Sequence, residues 1–235
     1  MNTEKLSNRL EAVTDYIPPG SRLADIGSDH AYLPCYAVKK GIVPFAVAGE
    51  VVEGPFQSAK KQVKMEGLEN QISVRKGSGL EVIEPGEVDC ITIAGMGGAL
   101  IASILEDGKS KLATVKRLIL QPNLSAISIR TWLIANGWEL IAEEILEEDG
   151  KIYEILAAEK GEPLKPYKNK EQGLLMGPFL MEQKSEVFRN KWLGERKNWE
   201  RILLQLDKAA YSSETEKRKQ ELKVKIKMAE EVLEQ

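Results

Sequence analysis

The sequence predicts an α/β fold built on an open, mainly parallel sheet with an antiparallel edge, followed by a helical hairpin. Three observations support this fold. Five short apolar segments alternate with helical patterns, two longer strand patterns then follow each other directly, and only helical spacing remains beyond residue 167. Strands that alternate with helices form parallel sheets, whereas consecutive strands joined by a tight turn pair antiparallel. We therefore expect seven strands in one sheet.

The N-terminal segment predicts an amphipathic helix over residues 4–16, because apolar residues recur every three or four positions. Pro18, Pro19 and Gly20 end this helix and lead into the first strand. The elements that follow are expected at 22–26 (strand), 32–40 (helix), 45–49 (strand), 54–66 (helix), 72–75 (strand), 89–94 (strand), 100–105 (helix), 117–120 (strand) and 127–136 (helix).

The antiparallel edge is expected from strands at 138–146 and 152–159, joined through a turn that contains Asp149-Gly150. Residues 161–167 contain two prolines and predict a linker. Beyond it, narrow apolar stripes mark two helices separated by a break at 209–213. The first stripe is Phe188, Trp192, Trp199, Ile202, Leu203 and Leu206, and the second is Leu222, Ile226, Ala229 and Leu233. The pattern predicts a coiled-coil-like hairpin. We thus divide the chain into domains 1–160 and 168–235.

Composition excludes several classes of protein. With 43% hydrophobic and 29% charged residues, the chain has the composition of a globular protein, and no segment reaches the length of a membrane span. The polar N-terminus lacks a signal sequence, so we expect a cytoplasmic protein without a membrane partner. Cys35 and Cys90 predict buried, reduced thiols, and no spacing of ligands indicates a metal.

Charge is distributed unevenly along the chain. The formal net charge is −3, but residues 165–235 hold 16 Lys or Arg against 12 Asp or Glu. An acidic body with a basic appendage is compatible with docking of a polyanion through the appendage. It is equally compatible with a solvated helical hairpin, so charge alone leaves both interpretations open.

Polar residues and glycines follow four of the predicted strands. They are Asp25-Ile26-Gly27-Ser28, then Glu50, then Gly77-Ser78-Gly79, then Ala94-Gly95-Met96-Gly97-Gly98. Ligands of open α/β sheets bind at the carboxyl ends of the strands, so these groups are expected to form one site. Asp29 and His30 replace the glycines of a diphosphate-binding turn, which favours a ligand of positive or neutral charge. A dinucleotide site is disfavoured, because the segment Gly95-Met96-Gly97-Gly98-Ala99-Leu100 has Leu100 at the position of the third glycine of G-x-G-x-x-G and follows the fourth strand.

The first of these groups resembles motif I of the class I S-adenosylmethionine-dependent methyltransferases, D-x-G-x-G-x-G. Asp25 and Gly27 match, whereas Asp29 and Ala31 replace the later glycines. The resemblance implies a Rossmann-like methyltransferase fold and S-adenosyl-L-methionine as cofactor. It places the methionine end at Asp25, Gly27 and Ser28, the ribose at Glu50 and the adenine at Gly77, Ser78 and Gly79. Val51 and Ala94 are further expected cofactor-binding residues, and Ala94 begins the loop that faces the methyl group.

Further segments narrow the resemblance to the bacterial tRNA (adenine-N1)-methyltransferases that modify position 22. They are A-D-I-G-S-D-H-A-Y-L-P, A-G-E-V-V-E-G-P, I-A-G-M-G-G and L-Q-P-N, with the helical hairpin behind them. The resemblance runs over nearly the whole chain and implies methylation of N1 of adenosine 22 in tRNA. Two alternatives remain open: a methyltransferase acting on a small molecule or protein, and a non-catalytic RNA-binding module.

Asp29 is the candidate catalytic residue, because a carboxylate near N1 and the exocyclic amine would orient adenine and stabilise its developing positive charge. The alternative is an N-cap for the following helix. His30 either contacts the substrate or is held structurally by hydrogen bonds. Tyr32 either stacks on the base or packs its helix onto the sheet.

The acceptor loop is expected at Gly95, Met96 and Gly97, which depart from the Asn-Pro-Pro-aromatic sequence common in nucleotide methyltransferases. Gln121 and Asn123 either read the edge of adenine or brace this loop. Arg189, Arg196 and Lys197 represent a basic face of the hairpin that would follow tRNA phosphates, or that is simply solvated. The sequence leaves the oligomeric state open.

Overall fold

Seven strands form one sheet in a computed structural model, which describes residues 2–208 and 212–234. In chain order they are β1 (Arg22–Ile26), β2 (Phe45–Glu50), β3 (Ile72–Lys76), β4 (Cys90–Gly97), β5 (Arg117–Leu124), β6 (Trp138–Glu148) and β7 (Lys151–Lys160). Their order across the sheet is β3-β2-β1-β4-β5-β7-β6. The first five pair in parallel, and β7 runs antiparallel to both β5 and β6. The predicted fold class is confirmed.

Helices connect the strands in the order predicted. They are α1 (Asn8–Asp15) before β1, then α2 (Tyr32–Lys39), α3 (Glu53–Met65), α4 (Gly98–Asp107) and α5 (Ala126–Ala135). The first helix begins at Asn8 instead of residue 4. Its N-cap is Ser7, whose side chain accepts a hydrogen bond from the Leu10 N–H and so fixes the start of the helix.

Two strands extend three or more residues further than predicted. β4 continues to Gly97 and β5 to Leu124, so the segments expected as loops after these strands still pair with each other. The pairing is irregular, with register shifts on both sides of Met96. The sequence does not indicate such a bulged extension, because the glycines and the proline in these segments normally mark the end of a strand.

The central strands are buried along most of their length. Leu23, Ile91 and Ile93 are fully inaccessible, as expected for parallel strands covered on both faces. Register sets Asp25 of β1 beside Thr92 of β4. Since β1 lies in the middle of the sheet, the polar residues at its end meet those of both neighbouring strands.

A buried ion cluster lies at the antiparallel edge. Arg130 of α5 pairs with Glu143 of β6 and Glu154 of β7, each at 2.6 Å from the guanidinium. All three side chains are almost completely inaccessible to solvent. The cluster joins α5 to β6 and β7. Charged residues in a sequence usually indicate surface positions, but these three lie in the interior.

The described chain divides into two units, one ending at Pro166 and the other beginning at Tyr167. The second unit contains α6 (Lys170–Met176), α7 (Pro178–Gln183), α8 (Glu186–Asp207) and α9 (Ser213–Glu234). The short helices α6 and α7 are not predicted from sequence, since seven and six residues are too few to show a helical period. Gly177, with φ +92°, separates them.

The helices α8 and α9 form the predicted antiparallel hairpin. Lys219, near the start of α9, pairs with Asp207 at the end of α8 at 3.0 Å. At the other end, Arg189 donates a hydrogen bond to the Leu233 carbonyl at 3.4 Å. The seam differs by one residue from the prediction, because Val232 is buried and Leu233 only partly so. Of the predicted break, residues 209–211 lie outside the described residues.

None of the described helices is long and apolar enough to cross a bilayer. Both cysteines are buried and free. Burial raises the pKa of Cys35 to about 12, so its thiol stays protonated at neutral pH.

Candidate active site

A cavity opens at the carboxyl ends of β1 and β4. The residues that line it come from α1, from the turn after β1, from the start of α2 and from the end of β4. They are Arg9, Leu10, Asp25, Gly27, Ser28, Asp29, His30, Tyr32, Leu33, Ala94, Gly95 and Met96. Two of the four predicted strand-end groups therefore form the walls of one space, together with the candidate catalytic residue.

Gly27 forms the floor of the cavity through a turn that only glycine fits well. Its φ is +71°, a conformation that L side chains rarely adopt. A Cβ at this position would also overlap Cε of Met96, which lies directly over the turn. The N–H groups of Gly27 and Ser28 both donate to the Gly49 carbonyl, at 2.9 and 3.2 Å, and so fasten the turn to β2.

Asp25 lies beneath this turn as a buried carboxylate. One of its oxygens accepts a hydrogen bond from the Ser28 hydroxyl at 2.6 Å, and the other accepts one from the Thr92 hydroxyl at 2.7 Å. Burial raises the pKa of Asp25, although both hydroxyls act in the opposite direction. A cation bound in the cavity would favour the ionised carboxylate.

Glu50 adjoins the cavity at the end of β2. Its carboxylate accepts a hydrogen bond from the Asp29 N–H, which ties the second strand end to the first. Burial raises the pKa of Glu50, and the nearby charges of Asp29 and Asp25 raise it further. The next residue, Val51, is 58% exposed, which leaves an apolar surface beside the carboxylate.

The predicted glycine turn after β3 lies against Glu50 through Gly77, whose N–H donates to the Glu50 carbonyl at 2.9 Å. The Ser78 N–H donates to the carboxylate of Glu81 at 2.9 Å, at the start of a 3₁₀ turn over Gly79–Val82. Ser78 and Gly79 also line a second cavity beside the end of α4. Gly77 is thus held next to Glu50, and the other two residues face this second space.

The turn at Asp29 is strained. Asp29 and Ala31 both have φ +55°, a left-handed conformation that costs free energy in residues with side chains. Ala31 is the N-cap of α2, with no side-chain cap hydrogen bond. The alternative role of Asp29 as a helix cap is therefore wrong. Its side chain is 68% exposed.

His30 and Tyr32 stack on each other at the rim of the cavity. Their ring centroids are 5.2 Å apart and their planes are inclined by 21°. His30 Nε2 lies 3.8 Å from the carboxylate of Asp29. The imidazole is about half exposed, so it does not have the buried environment of a structural histidine. Together the two rings and the carboxylate form a polar, aromatic edge.

Gln121 and Asn123 brace the end of β4. The side-chain oxygen of Gln121 accepts a hydrogen bond from the Gly95 N–H at 3.0 Å, and the Asn123 amide donates to the Gly95 carbonyl at 2.7 Å. Gln121 is fully buried, whereas Asn123 is exposed. Two roles were considered for these amides, and their hydrogen bonds to Gly95 correspond to support of the loop.

Arg9 is the cavity residue that the sequence does not indicate. It donates a hydrogen bond to the side-chain oxygen of Gln121, and its guanidinium lies 5.3 Å from the centre of the Tyr153 ring. The carboxylate of Glu148 accepts from the Asn8 N–H at 2.6 Å and from the Arg9 N–H at 3.4 Å. In the sequence Arg9 is an ordinary polar position of an amphipathic helix. Only the fold brings it to the strand ends.

The three predicted substrate-binding residues of the hairpin all lie on α8. Arg189 bonds to the end of α9, and Nε of Arg196 lies 3.5 Å from Glu200. Lys197 is exposed. Across the described ranges, no group of three or more His, Cys, Asp or Glu side chains could hold a metal ion.

Comparisons with known proteins identify the family. The family model of tRNA (adenine(22)-N(1))-methyltransferase matches residues 23–231. A Bacillus subtilis protein of that name is 52% identical over 235 residues, which cover 99% of both chains. The crystal structure of the B. subtilis m1A22 tRNA methyltransferase superposes with a TM-score of 0.95 at 51% identity, covering 98% of this chain and 99% of the other.

A Streptococcus pneumoniae structure in complex with S-adenosyl-L-methionine has a TM-score of 0.87 at 46% identity and covers 97% of this chain and 100% of its own. The matches extend across both units of the fold. This chain belongs to the tRNA (adenine(22)-N(1))-methyltransferase family, the family that its sequence motifs predict.

Proposed function

We propose that this chain transfers a methyl group from S-adenosyl-L-methionine to N1 of the adenosine at position 22 of tRNA, in the cavity at the ends of β1 and β4. The enzyme class, the cofactor and the reaction agree with its family. One observation carries the choice of site: the glycine turn at Gly27, the buried Asp25 and the exposed Asp29 all line the same cavity.

The residues present suit this cofactor. Gly27 lines the cavity and has no side chain, so a ligand in the cavity can approach its backbone closely. Buried carboxylates with raised pKa values suit a ligand that brings positive charge and hydroxyl groups. We assign the methionine end to Asp25, Gly27, Ser28 and Ala94 in the cavity, and the ribose to Glu50 and Val51 beside it. The adenine is assigned to Gly77, Ser78 and Gly79, so the cofactor would extend from the cavity past Glu50 to the turn after β3, where Ser78 and Gly79 line the second cavity.

When bound, the cofactor supplies an electrophilic methyl group. Adenine N1 carries its lone pair at neutral pH, so the protein has to position the base rather than deprotonate it. Asp29 accepts from the exocyclic amine and stabilises the positive charge that develops on adenine. Its exposure leaves the carboxylate free to meet a base from outside the cavity.

The base reaches this position only when it leaves its stack in the tRNA, because N1 lies on the Watson–Crick edge. The stacked rings of His30 and Tyr32 offer one aromatic surface for the extruded base. Gly95, Met96 and Gly97 border the cavity on the other side, and Gln121 and Asn123 hold that border in place. Asn123 is exposed and remains a candidate for direct contact with the base.

The helical hairpin docks the tRNA through phosphate contacts. Lys197 on α8 and Lys217, Arg218 and Lys223 on α9 are exposed, so they are available to phosphates. Arg189 bonds to the end of α9 and so supports the hairpin as well as its charge, whereas Arg196 pairs with Glu200 within α8. A tRNA substrate also places the reaction in the cytoplasm.

The test is methyl transfer from labelled cofactor into unmodified tRNA, followed by nucleoside analysis, for the wild type and for Asp29→Asn. We expect 1-methyladenosine from the wild type and a rate lower by about 100-fold or more from the variant. Binding of S-adenosyl-L-homocysteine should be unchanged, because Asp29 acts on the acceptor. Asp15→Asn, an exposed site at the end of α1, is the matched control.

Two results would contradict the proposal. Failure to label any tRNA would exclude the reaction and leave a small-molecule or protein acceptor, or a binding module. Full activity of Asp29→Asn would remove the catalytic role from Asp29 and shift it to the residues around Gly95.

A further inference from the structure

We infer that three exposed apolar side chains beside the cavity, Leu100, Leu124 and Ile127, pack against the bases that flank the target adenosine and so hold that adenosine out of its stack. These three residues are called the apolar patch. The inference rests on the function proposed above and adds residues outside the strand-end groups. They are positioning residues, because they meet the neighbours of the target base and not the reacting atoms.

The apolar patch lies at the carboxyl ends of β4 and β5. Leu124 is the last residue of β5, and it lies opposite Gly97 where these two strands pair. Leu100 belongs to the first turn of α4 and Ile127 to the first turn of α5, the helices that follow the two strands. The three side chains therefore come from segments that meet at the same end of the sheet.

This surface is apolar and carries no charge. Leu124 is 68% exposed and Leu100 is 54% exposed, although large apolar side chains are usually buried. Residues 90–105 and 118–129 contain both strand ends and both helix starts, and they include no Asp, Glu, Lys or Arg in a chain with 29% charged residues. A surface that followed phosphates would need cations. An uncharged apolar surface suits the faces of bases instead.

The backbone beneath the apolar patch is tightly held. A Cβ on Gly98 would collide with the carbonyl oxygen of Ser125, so α4 begins in direct contact with the turn before α5. Ser125 has φ +60°, and its carbonyl accepts a hydrogen bond from the Ser128 N–H at 3.0 Å. Side chains on a backbone held in this way meet a ligand without first being ordered, which reduces the entropy lost on binding.

The apolar patch continues the border of the cavity on the side of the acceptor. Gly95 lines the cavity, and the Asn123 amide donates a hydrogen bond to its carbonyl at 2.7 Å. Leu124 is the next residue, so the patch begins where this border ends. A base inside the cavity stays covalently joined to the nucleotides on both sides, which therefore lie along that border. Their bases have lost a stacking partner, and apolar side chains that cover the freed faces recover part of the cost.

The extruded state can be measured without methyl transfer. 2-Aminopurine in place of adenosine 22 becomes more fluorescent when it leaves its stack. We would bind tRNA labelled in this way to the full chain in the presence of S-adenosyl-L-homocysteine, and compare the wild type with Leu124→Ser and with Leu124→Ser combined with Leu100→Ser. The same variants would be assayed for methyl transfer to unmodified tRNA.

We expect the wild type to raise the fluorescence and the double variant to lose at least about half of this rise at saturation. The affinity for tRNA should change by less than about threefold, because phosphate contacts supply most of it. In methyl transfer, kcat should fall by about 5- to 20-fold for Leu124→Ser, and further for the double variant. Leu124→Met keeps an apolar side chain of similar length and should retain most of the activity.

Leu164→Ser is the matched control. Leu164 is 53% exposed and follows the end of β7, which lies at the opposite end of the sheet from the cavity because β7 runs antiparallel to β5. This variant should keep both the fluorescence rise and kcat. All the substituted leucines are exposed, so serine should change stability little, and thermal unfolding checks that each variant folds.

Three results would overturn the inference. A full fluorescence rise and full kcat in the double variant would remove any role of the apolar patch and leave the proposed function intact. Weaker tRNA binding with an unchanged rise at saturation would show docking alone. A wild-type dimer that Leu124→Ser dissociates in sedimentation would assign the patch to a second copy of this chain. If the wild type formed no 1-methyladenosine, the proposed function itself would fail, and the inference with it.

Discussion

At the scale of single residues, Gly27 carries the strictest steric requirement in the cavity. We expect Gly27→Ala to lower the free energy of unfolding by about 1–2 kcal/mol, because the left-handed backbone disfavours any Cβ. The displaced Met96 would also obstruct the cofactor, so S-adenosyl-L-homocysteine should bind more weakly. Urea unfolding and calorimetry measure the two effects.

Gly54→Ala is the matched control, since Gly54 lies in α3 with open space around its Cβ position and no positive φ. It should change stability by less than about 1 kcal/mol, toward greater stability. If both alanines had the same effect, the special conformation of Gly27 would not be the cause.

Individual site residues were predictable where their role depends only on residues close to them in the sequence. Asp25, Gly27 and Glu50 lie at or next to the ends of apolar strands, and a strand end is recognisable from composition. Arg9 and the role of Gln121 were not predictable, because both depend on contacts between distant segments. Arg9 meets a partner 112 positions away, and nothing in its own helix indicates that meeting.

At the scale of the elements, the ion cluster of Arg130 holds α5 against β6 and β7. Arg130→Met should lower the free energy of unfolding by about 3–5 kcal/mol, because it leaves two buried carboxylates without their cation. Chemical denaturation of the full chain measures the loss. Lys165→Met, which removes the ion pair of the exposed Lys165 with Glu139, should cost less than about 1 kcal/mol.

A triple variant separates charge from packing. Adding Glu143→Gln and Glu154→Gln to Arg130→Met removes the unpaired charges, so part of the lost stability should return. No recovery would mean that the shape of the arginine, rather than its charge, holds the edge together.

The order and type of the long elements were predictable, whereas some of their ends were not. Apolar alternation and helical spacing persist over many residues and locate β1 or α8 well. The extension of β4 past Ala94 depends on irregular pairing with β5, which leaves no periodic signal in either strand. The short helices α6 and α7 were not predicted either, because each is under two full turns and therefore shows no helical period.

At the scale of the whole molecule, the proposed function assigns tRNA binding to the positive charges of the second unit and cofactor binding to the first unit. We expect the charge reversal Lys197→Glu with Lys223→Glu to weaken tRNA binding and to lower the slope of its salt dependence by about 1–2. Binding of S-adenosyl-L-homocysteine should not change, because all residues proposed to bind the cofactor lie in the first unit. Titrations with tRNA at several salt concentrations measure the slope.

The control reverses two charges elsewhere, Lys40→Glu with Lys116→Glu. Both residues precede strands, so they lie at the amino ends of the strands, opposite the cavity. Equal loss of tRNA affinity in the two double variants would indicate a general effect of net charge, and it would contradict a docking role for the hairpin.

The buried carboxylates at the ends of β1 and β2 couple the stability of this enzyme to its cofactor and to protons. Their raised pKa values mean that ionisation works against folding, so their destabilising effect is complete above those values and is relieved as the pH falls through them. A positively charged ligand offers the same relief at neutral pH. Occupancy by the methyl donor would then protect the protein against unfolding and proteolysis, so that the level of the donor in the cell would help to set how long each molecule of the enzyme lasts.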